Sequence, residues 1–337
     1  MKLYFRQLPL LDHEKLRSNE ELQLAHLLLS CLGQSYVHED PSKPAQILPP
    51  QIAIPWCGVS KKLGLPPIIV HSTVSLCNWK KLDPCGPMIL DNLKLLYSLD
   101  SSRDLETFFL IPLLVELNSV PAVVAIMSIQ KSLETKEENP NLSQHLDIIK
   151  ESLDKMKYEL KLMSPGCRPE VFYYQHRPLL SGWEDNPSMP NGLLYQGVSD
   201  IPRKYSGGSA AQSSSLQALD AGLGVKHSGR EGAFLVRMRE YMPPNQAGLI
   251  KHIEQGPSIR EACIRADPLI KEKYNVCLEA LEHFRTEHLI LVSRYITTPS
   301  NRNRGDADHL ADQGTGGTAL AIFLKRVRKD ISEMLLQ

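Results

Sequence analysis

Residues 271–297 form the longest stretch of the 337-residue chain with an uninterrupted helical pattern, and they read KEKYNVCLEALEHFRTEHLILVSRYIT. The apolar residues recur at three- and four-residue steps, which is the spacing of one helix face. His288 lies on that face, between Phe284 and Leu291. The stretch predicts a long helix from Lys271 to Thr297, ended by Thr298 and Pro299, which directs the imidazole of His288 into the core.

The same spacing dominates the rest of the chain, whereas the alternating pattern of strands is rare. We therefore predict an all-α fold. The further helices are expected at Glu14 to Leu32, Asp104 to Lys136, Leu146 to Met163, Ser213 to Leu223, Glu231 to Tyr241, Ala247 to Glu254, Ser258 to Arg265, and in a final segment to Gln337. Pro112 and Pro121 predict a kink or a break in the second of these helices.

Two stretches interrupt the helical pattern. Prolines recur between residues 41 and 67. Because each lacks an amide donor, they predict an ordered connector rather than a regular helix. Residues 164–208 are rich in proline, glycine, serine and aromatic residues, with little periodicity. A long irregular segment of this kind inside a compact domain is usually functional.

Composition limits the class of partner. The 38 basic and 38 acidic residues balance, so no net charge favours nucleic acid or an anionic membrane. The apolar runs, such as Phe108 to Val115, are shorter than the ~20 residues that a membrane-spanning helix needs. The seven cysteines lack the spacing of a zinc knuckle or a disulfide framework. We expect a soluble protein in a reducing compartment, with a small or neutral partner.

Arg285 precedes His288 by three residues, which places its guanidinium about one helical turn from the imidazole. A buried cation requires an anion. Haem offers an iron for an axial histidine and propionate carboxylates for an arginine. A hydrogen-bonded core histidine is the alternative interpretation, and the helical pattern is compatible with both. Zinc is disfavoured, because the sequence contains no His-Glu-x-x-His and no histidine pair at i, i+4.

Two glycine-rich loops are weak matches to catalytic motifs. Gly207 to Ala211 loosely resembles a nucleophile elbow, but the residues before Ser209 do not form a convincing strand, which that motif requires. Gly314 to Thr318 lacks the Gly-Lys-Ser/Thr ending of a phosphate loop. It predicts either a flexible turn or a loop that closes over a ligand and offers it the hydroxyl of Thr315.

Arg177 follows three aromatic residues in the irregular segment. An arginine among aromatic side chains is most often a partly exposed stacking residue. The alternative is a pocket that binds a carboxylate through the guanidinium and an aromatic ring through packing, as an amino acid such as tryptophan requires.

Motifs along most of the chain resemble those of the indoleamine 2,3-dioxygenase family, and Tyr173 and His71 resemble the second, low-affinity vertebrate paralogue of that family. The motifs are Leu65-Pro66-Pro67-Ile68, Asn78-Trp79, Ser181-Gly182-Trp183, Tyr205 to Ser213, Tyr241-Met242-Pro243-Pro244, Arg285-Thr286-Glu287-His288 and Gly314 to Thr318. The resemblance implies a small helical domain over residues 1–100, shortened at its N-terminus. It also implies a large helical haem-binding catalytic domain over residues 101–337, which includes the connecting segment 164–208.

The resemblance implies a haem dioxygenase that adds O2 across the indole C2–C3 bond of L-tryptophan. The product is N-formylkynurenine, the first intermediate of the kynurenine pathway. The implied cofactor is heme b, and the implied protein is a cytoplasmic monomer that binds L-tryptophan and O2, without nucleic acid or membrane.

The resemblance also assigns roles to individual residues. His288 matches the iron ligand, while Arg285, Asp220 and Ser209 match residues beside the haem. The residues matched to catalysis are Arg177, Ser209 and Thr315. The residues matched to substrate binding are His71, Phe108, Phe172, Tyr173, Arg177, Ala210 and Thr315.

Three positions depart from the better-known active paralogue. Pro112 replaces a small hydroxyl residue, and His71 and Tyr173 replace a tyrosine and a phenylalanine. These departures imply weak tryptophan binding and slow turnover. They keep open an alternative, a catalytically weak or inactive haem protein with an O2-binding or signalling role.

Overall fold

The computed structural model of the protein describes residues 5–100, 102–136, 141–302 and 320–336. Helices account for 66% of the chain and strands for 3%, so the predicted all-α fold is confirmed. The longer helices are α1 (Asn19–Val37), α2 (Pro50–Leu63), α3 (Arg103–Glu134), α4 (Leu142–Lys161), α5 (Ser214–Gly222), α6 (Gly229–Met238), α7 (Pro244–Gln255), α8 (Ile259–Arg265), α9 (Pro268–Val292) and α10 (Leu320–Ser332).

The strands are two residues long. They are β1 (Ile47–Leu48), β2 (Lys80–Lys81), β3 (Leu93–Lys94) and β4 (Leu194–Tyr195). Strand β1 pairs in parallel with β4, and β2 pairs antiparallel with β3. The core is helical: α3 packs along α4 and contacts α5, while α9 packs against α4 and α10.

Helix α1 begins at Asn19 rather than at the predicted Glu14, because Ser18 caps it. The Ser18 hydroxyl accepts a hydrogen bond from the Glu21 amide at 3.1 Å, and the Glu21 carboxylate accepts one from the Ser18 amide at 3.1 Å. This reciprocal capping box satisfies two amide groups that have no partner within the helix. The apolar periodicity alone did not locate this start.

The connector predicted between residues 41 and 67 is wrong over α2. Pro50 is the first residue of that helix, where no intrahelical amide donor is required. Pro55 lies inside the helix and removes one backbone hydrogen bond. Trp56, on the buried face, has no exposed surface. Burial of this apolar face offsets the lost hydrogen bond.

Helix α3 runs continuously through Pro112 and Pro121, so the predicted break is absent. Each proline removes one intrahelical hydrogen bond. The helix nevertheless buries apolar residues along its length, from Leu105 to Ile129. Its packing along α4 therefore outweighs the local cost of the prolines.

Among the described residues, α3 is long and apolar enough to cross a membrane, which the argument from apolar run length missed. Of its most apolar 18-residue window, 61% is buried inside the fold. A helix in a protein core needs the same apolar composition as one in a bilayer. The absence of a membrane-spanning segment stays a prediction.

The end of α9 differs from the prediction. Regular α-helix stops at Val292, and the chain continues through a π-helical turn (Ser293–Thr297) into a short helix (Thr298–Arg302). The predicted end at Thr297 is therefore wrong, because the chain stays helical to Arg302. Pro299 is the second residue of the short helix, where its missing amide donor is not needed.

Segment 164–208 consists mostly of short turns, as its composition predicted, and buried aromatic residues fix it to the fold. The indole N–H of Trp183 donates to the hydroxyl of Tyr195 at 2.9 Å, and that hydroxyl donates to the carbonyl of Pro67 at 2.6 Å. Both aromatic side chains are fully buried. The hydrogen bonds join the segment to the end of the proline-rich stretch.

Contacts cross the predicted domain boundary at residue 100. Helix α1 contacts the turn at 177–180, and the turn at 72–76 contacts α3. The division into domains at residue 100 stays a prediction.

Gly182 tests how tightly this segment packs. A Cβ atom here would overlap the amide nitrogen of Gly207 and the carbonyl oxygen of Tyr205, both of which are backbone atoms. We expect Gly182→Ala to lower the free energy of unfolding by about 1–3 kcal/mol, measured by urea denaturation.

The matched control is Gly248→Ala in α7, where an added Cβ meets no atom within 4 Å. Because alanine favours helix more than glycine does, the control should raise the free energy of unfolding by roughly 0.5–1 kcal/mol. Equal effects of the two substitutions would contradict the described packing.

Candidate functional site

One large cavity opens between the helices, with about 1690 Å³ of space between its atoms, the mouth included. Its wall is mostly apolar, with contributions from α3, α9 and α10. The predicted site residues that line it are His71, Phe108, Phe172, Arg177, Ser209, Ala210, Asp220, Arg285 and His288.

His288 lies on the cavity wall near the end of α9. Part of the His288 side chain is exposed to the cavity, while the surrounding protein shields the ring from bulk water. This burial, assisted by the charge of Arg285, lowers the pKa of His288 to about 4. Within the described part of the chain, neither ring nitrogen makes a hydrogen bond. The imidazole is therefore neutral at physiological pH, the state in which it can bind a metal.

Arg285 and Asp220 form a buried ion pair one helical turn from His288. Although burial opposes ionisation, the charge of Arg285 and the hydrogen bond from His227 hold the pKa of Asp220 below its usual value. Nε of Arg285 and Oδ1 of Asp220 are buried without a hydrogen-bond partner among the described residues. The pair thus keeps hydrogen-bonding capacity for a group bound in the cavity.

His227 extends this ion pair away from the cavity. Its Nε2 contacts Asp220 at 3.2 Å, and its Nδ1 contacts Asp330 of α10 at 2.9 Å. Arg326 also pairs with Asp330, at 3.0 Å. Burial disfavours the imidazolium, but the hydrogen bond and charge of Asp220 raise the pKa of His227 above its usual value. The sequence analysis missed His227 and Asp330, because no local pattern joins positions so far apart in the chain.

Arg177 is fully buried, which excludes the partly exposed stacking interpretation. Its guanidinium carbon lies 5.1 Å from the centre of the Tyr173 ring, a cation–π distance. Tyr173 was predicted to line the indole pocket, but the structure places it against Arg177 and not on the cavity wall. Consecutive residues of a helical turn point in different directions, so Phe172 faces the cavity and Tyr173 does not.

Phe108 and Phe172 form an aromatic pair on the cavity wall. Their ring centroids are 4.6 Å apart, at an interplanar angle of 37°. Phe172 also meets Tyr295 edge to face at 5.8 Å. These rings provide the apolar surface on which a flat aromatic ligand can pack.

His71 and Glu116 form a second buried polar pair on the cavity wall. Nε2 of His71 lies 3.1 Å from Oε1 of Glu116. Burial opposes ionisation of Glu116, but the hydrogen bond from His71 holds the pKa of Glu116 below its usual value. The sequence analysis singled out His71 and missed Glu116. The four-residue steps from Phe108 through Pro112 to Glu116 would have placed this carboxylate on the same helix face.

Ser209 and Ala210 lie in the glycine-rich loop on the cavity wall. The Ser209 hydroxyl accepts a hydrogen bond from the Ala211 amide at 3.2 Å and caps a short 3-10 turn. Within the described residues, no strand leads directly into Ser209, so the geometry of a nucleophile elbow is absent. Gly314 to Thr318, including Thr315, lies outside the described residues.

The site residues fit haem. A large apolar cavity, a neutral imidazole without a hydrogen-bond partner among the described residues, and an arginine one turn away are the features that an axial ligand and propionates require. Within the residues that the structure describes, no group of three or more His, Cys, Asp or Glu side chains is arranged to hold a metal ion directly.

The chain is similar to known proteins over its whole length. A sequence profile of the family "Indoleamine 2,3-dioxygenase" matches residues 1–334. The chain belongs to the indoleamine 2,3-dioxygenase family. Human indoleamine 2,3-dioxygenase 2 is 40% identical over 347 residues, which covers 100% of this chain and 85% of the human protein. Mouse indoleamine 2,3-dioxygenase 1 is 39% identical over 341 residues, with coverage of 98% and 84%.

Proteins of this family are haem-dependent dioxygenases. The slightly higher identity to the second paralogue agrees with the resemblance seen in the sequence motifs. A protein named myoglobin from Haliotis madaka is also similar, with 31% identity over 334 residues, 98% of this chain and 85% of the myoglobin.

His288→Ala should abolish axial ligation in the cavity. We expect the wild type to bind haem with a Soret band typical of a histidine ligand, and the variant to bind haem weakly or without that signature. Absorption titration with haem measures both. His283→Ala, which changes an exposed histidine on the same helix, should match the wild type. Equal spectra for the wild type and His288→Ala would contradict the assignment.

His227→Gln should change how stability depends on pH. The folded pKa of His227 is raised, so its stabilisation is complete below the unfolded-state pKa of about 6.5 and is lost as the pH rises through the folded pKa. We expect the free energy of unfolding of the variant to be about 1–3 kcal/mol lower than that of the wild type at pH 6, with a smaller difference at higher pH.

Urea denaturation between pH 6 and pH 9 measures this effect. The groups that face His227 are Asp220, Asp330 and Arg285. His252→Gln, at an exposed position of α7, is the control and should leave the pH profile unchanged. A constant difference between wild type and His227→Gln across this range would show that His227 acts by packing alone.

Proposed function

We propose that this protein is a haem-dependent dioxygenase that adds O2 across the indole C2–C3 bond of L-tryptophan to give N-formylkynurenine. The main support is Arg177, a fully buried guanidinium on a predominantly apolar cavity that also contains His288. The names of the relatives point to the same reaction. The cavity thus combines a group for an iron, a group for a carboxylate and aromatic surface for an indole.

The proposed cofactor is heme b. His288 would hold its iron, and Arg285, oriented by Asp220, would donate a hydrogen bond to a propionate. When bound and reduced, the haem supplies the iron chemistry that activates O2. The neutral state of His288 and the low pKa of Asp220 keep both side chains in the ionisation states that these contacts need.

Substrate orientation is the contribution of the chain itself. The planar guanidinium of Arg177 suits bidentate binding of the tryptophan carboxylate. Arg177 directly follows the turn that carries Phe172, and Phe172 packs against Phe108, so the indole would lie next to the anchored carboxylate. Fixing one substrate in one orientation lowers the entropic cost of reaction. Ser209 and Ala210 stay predicted contacts beside haem and substrate, and Thr315 stays a predicted catalytic and substrate-binding residue.

A second candidate function is a haem protein that binds O2 without tryptophan turnover, with or without a signalling role. Its support is the similarity to Haliotis madaka myoglobin over 98% of this chain. Pro112 also favours it, because a proline on the cavity wall offers no hydroxyl or amide hydrogen. Against it stands Arg177, whose buried charge an O2-binding protein does not require.

We further propose a cytoplasmic monomer without nucleic acid or membrane partners. All seven cysteines are free, as expected in a reducing compartment. The balance of 38 basic and 38 acidic residues is consistent with small or neutral ligands.

The proposed reaction is tested with haem-loaded protein, ascorbate, methylene blue and L-tryptophan. Formation of N-formylkynurenine supports the dioxygenase. No product at high tryptophan concentration, together with reversible O2 binding and no tryptophan-induced spectral change, supports the second candidate and refutes the first.

Arg177→Ala should impair the use of tryptophan through its carboxylate. A hydrogen bond to a charged group is worth about 1.5–3 kcal/mol, so kcat/KM for tryptophan should fall roughly 10- to 150-fold. Tryptamine, which lacks the carboxylate, should show little change. Arg177→Lys keeps the charge but lacks the planar guanidinium. Its kcat/KM for tryptophan should lie between those of the wild type and Arg177→Ala. An equal loss for tryptophan and tryptamine would argue against carboxylate binding by Arg177.

A further inference from the structure

Glu116 is a buried carboxylate on a mostly apolar cavity wall. It lies on α3 in line with Pro112 and Phe108, and all three line the cavity at four-residue steps. At 1.5 Å per residue, Glu116 is about 12 Å along the helix axis from Phe108. It is therefore distant from the aromatic pair of Phe108 and Phe172.

The hydrogen bonds of Glu116 fix its partner His71. Oε1 contacts Nε2 of His71 at 3.1 Å, and Oε2 accepts the hydroxyl of Ser215. The backbone amide of His71 donates to the side-chain oxygen of Gln212 at 2.9 Å. Gln212 in turn donates to the carbonyl of Gly207 at 2.8 Å. Both the ring and the backbone of His71 are thus held in one position.

This arrangement determines which nitrogen of His71 carries hydrogen. An ionised carboxylate can only accept hydrogen bonds, so Nε2 of His71 must donate to Glu116. In the neutral imidazole, Nδ1 is then an acceptor. Within the described residues, Nδ1 makes no hydrogen bond, and it is left for a ligand in the cavity.

We propose that the pair formed by His71 and Glu116 determines substrate specificity, because Nδ1 of His71 accepts a hydrogen bond from a donor on the edge of the substrate's ring system. That donor is the indole N–H or a hydroxyl on the six-membered ring. Glu116 acts as the positioning residue that fixes the tautomer of His71. The substrate class rests on the proposed function, while the hydrogen bond to the cavity ligand does not.

The positions of the other site residues support a contact with the ring edge. Arg177, the proposed carboxylate ligand, adjoins the turn that carries Phe172, which packs on Phe108. Glu116 lies further along α3. Because His71 lines the same cavity, a ligand anchored at Arg177 and packed on these rings can place the edge of its ring system against His71. An apolar wall would leave a donor on that edge without a partner, which is costly.

The test compares equilibrium binding of three ligands: L-tryptophan, 1-methyl-L-tryptophan, which lacks the indole N–H, and 6-hydroxy-L-tryptophan. Haem-loaded wild type, His71→Phe and Glu116→Gln are titrated by calorimetry at pH 8, without reductant or turnover. Glu106→Gln is the control, because it removes a carboxylate from the same helix at a position that does not line the cavity.

We expect the wild type to bind a ligand that carries the donor more tightly than the ligand that lacks it. The dissociation constant of the ligand without the donor, divided by that of the ligand with it, should fall roughly 3- to 10-fold in His71→Phe. In Glu116→Gln the amide can donate to Nε2 and reverse the tautomer, so the ratio should fall or invert. Glu106→Gln should keep the wild-type ratio. Ratios are compared between variants, because the added methyl group also changes ligand size.

The donor is identified by the ligand that the wild type prefers and the variants no longer prefer. A change confined to tryptophan against its 1-methyl derivative indicates the indole N–H, and one confined to the hydroxylated ligand indicates the ring hydroxyl. Wild-type ratios in both His71→Phe and Glu116→Gln would overturn the proposal. If His71→Phe does not fold, Ser215→Ala replaces it as the second variant beside Glu116→Gln. Ser215→Ala removes the hydroxyl that donates to Oε2 of Glu116.

The proposal and the proposed function can fail separately. Altered binding ratios without N-formylkynurenine formation by the wild type would uphold the specificity pair and refute the enzymatic activity. Product formation with unchanged binding ratios would uphold the enzymatic activity and refute the specificity pair.

Discussion

The buried ion pair between Arg285 and Asp220 is the interaction on which the rest of the cavity depends. Two charges out of water are tolerated only when each is paired and hydrogen-bonded. Here the pair joins α9, which carries His288, to α5, and His227 continues the connection to Asp330 on α10. Three elements of the cavity wall are therefore held by one connected set of charges, and a group that enters meets donors and acceptors already in position.

The same physical rule governs the other polar groups of the cavity. His71 is paired with Glu116, and the guanidinium of Arg177 lies over the ring of Tyr173. These polar groups are few and are set in a mostly apolar surface, where a polar ligand atom without a hydrogen-bond partner costs more free energy than it would in water. Such a cavity discriminates between ligands by the placement of a few polar atoms, while its aromatic surface contributes affinity for any flat ring.

Family membership sets the fold and the haem site, whereas single residues of the cavity decide what the haem does. Proteins named dioxygenase and a protein named myoglobin are both similar to nearly the whole chain. The presence of Arg177 favours an amino-acid substrate, and Pro112 removes one source of a hydrogen bond on the cavity wall. Kinetic differences within the family are therefore expected to arise from side chains at the wall and not from the helical framework.

The sequence alone determined the helical class, the inward face of α9 and the candidate residues His288, Arg285 and Arg177, because periodicity and short spacings are local properties of the chain. It did not determine that α2 and α3 continue through their prolines, since burial of apolar surface against distant helices offsets the local loss of hydrogen bonds. Only the tertiary structure paired His71 with Glu116 and His227 with Asp330. These partners are 45 and 103 positions apart, and a buried charge selects its partner by distance in space.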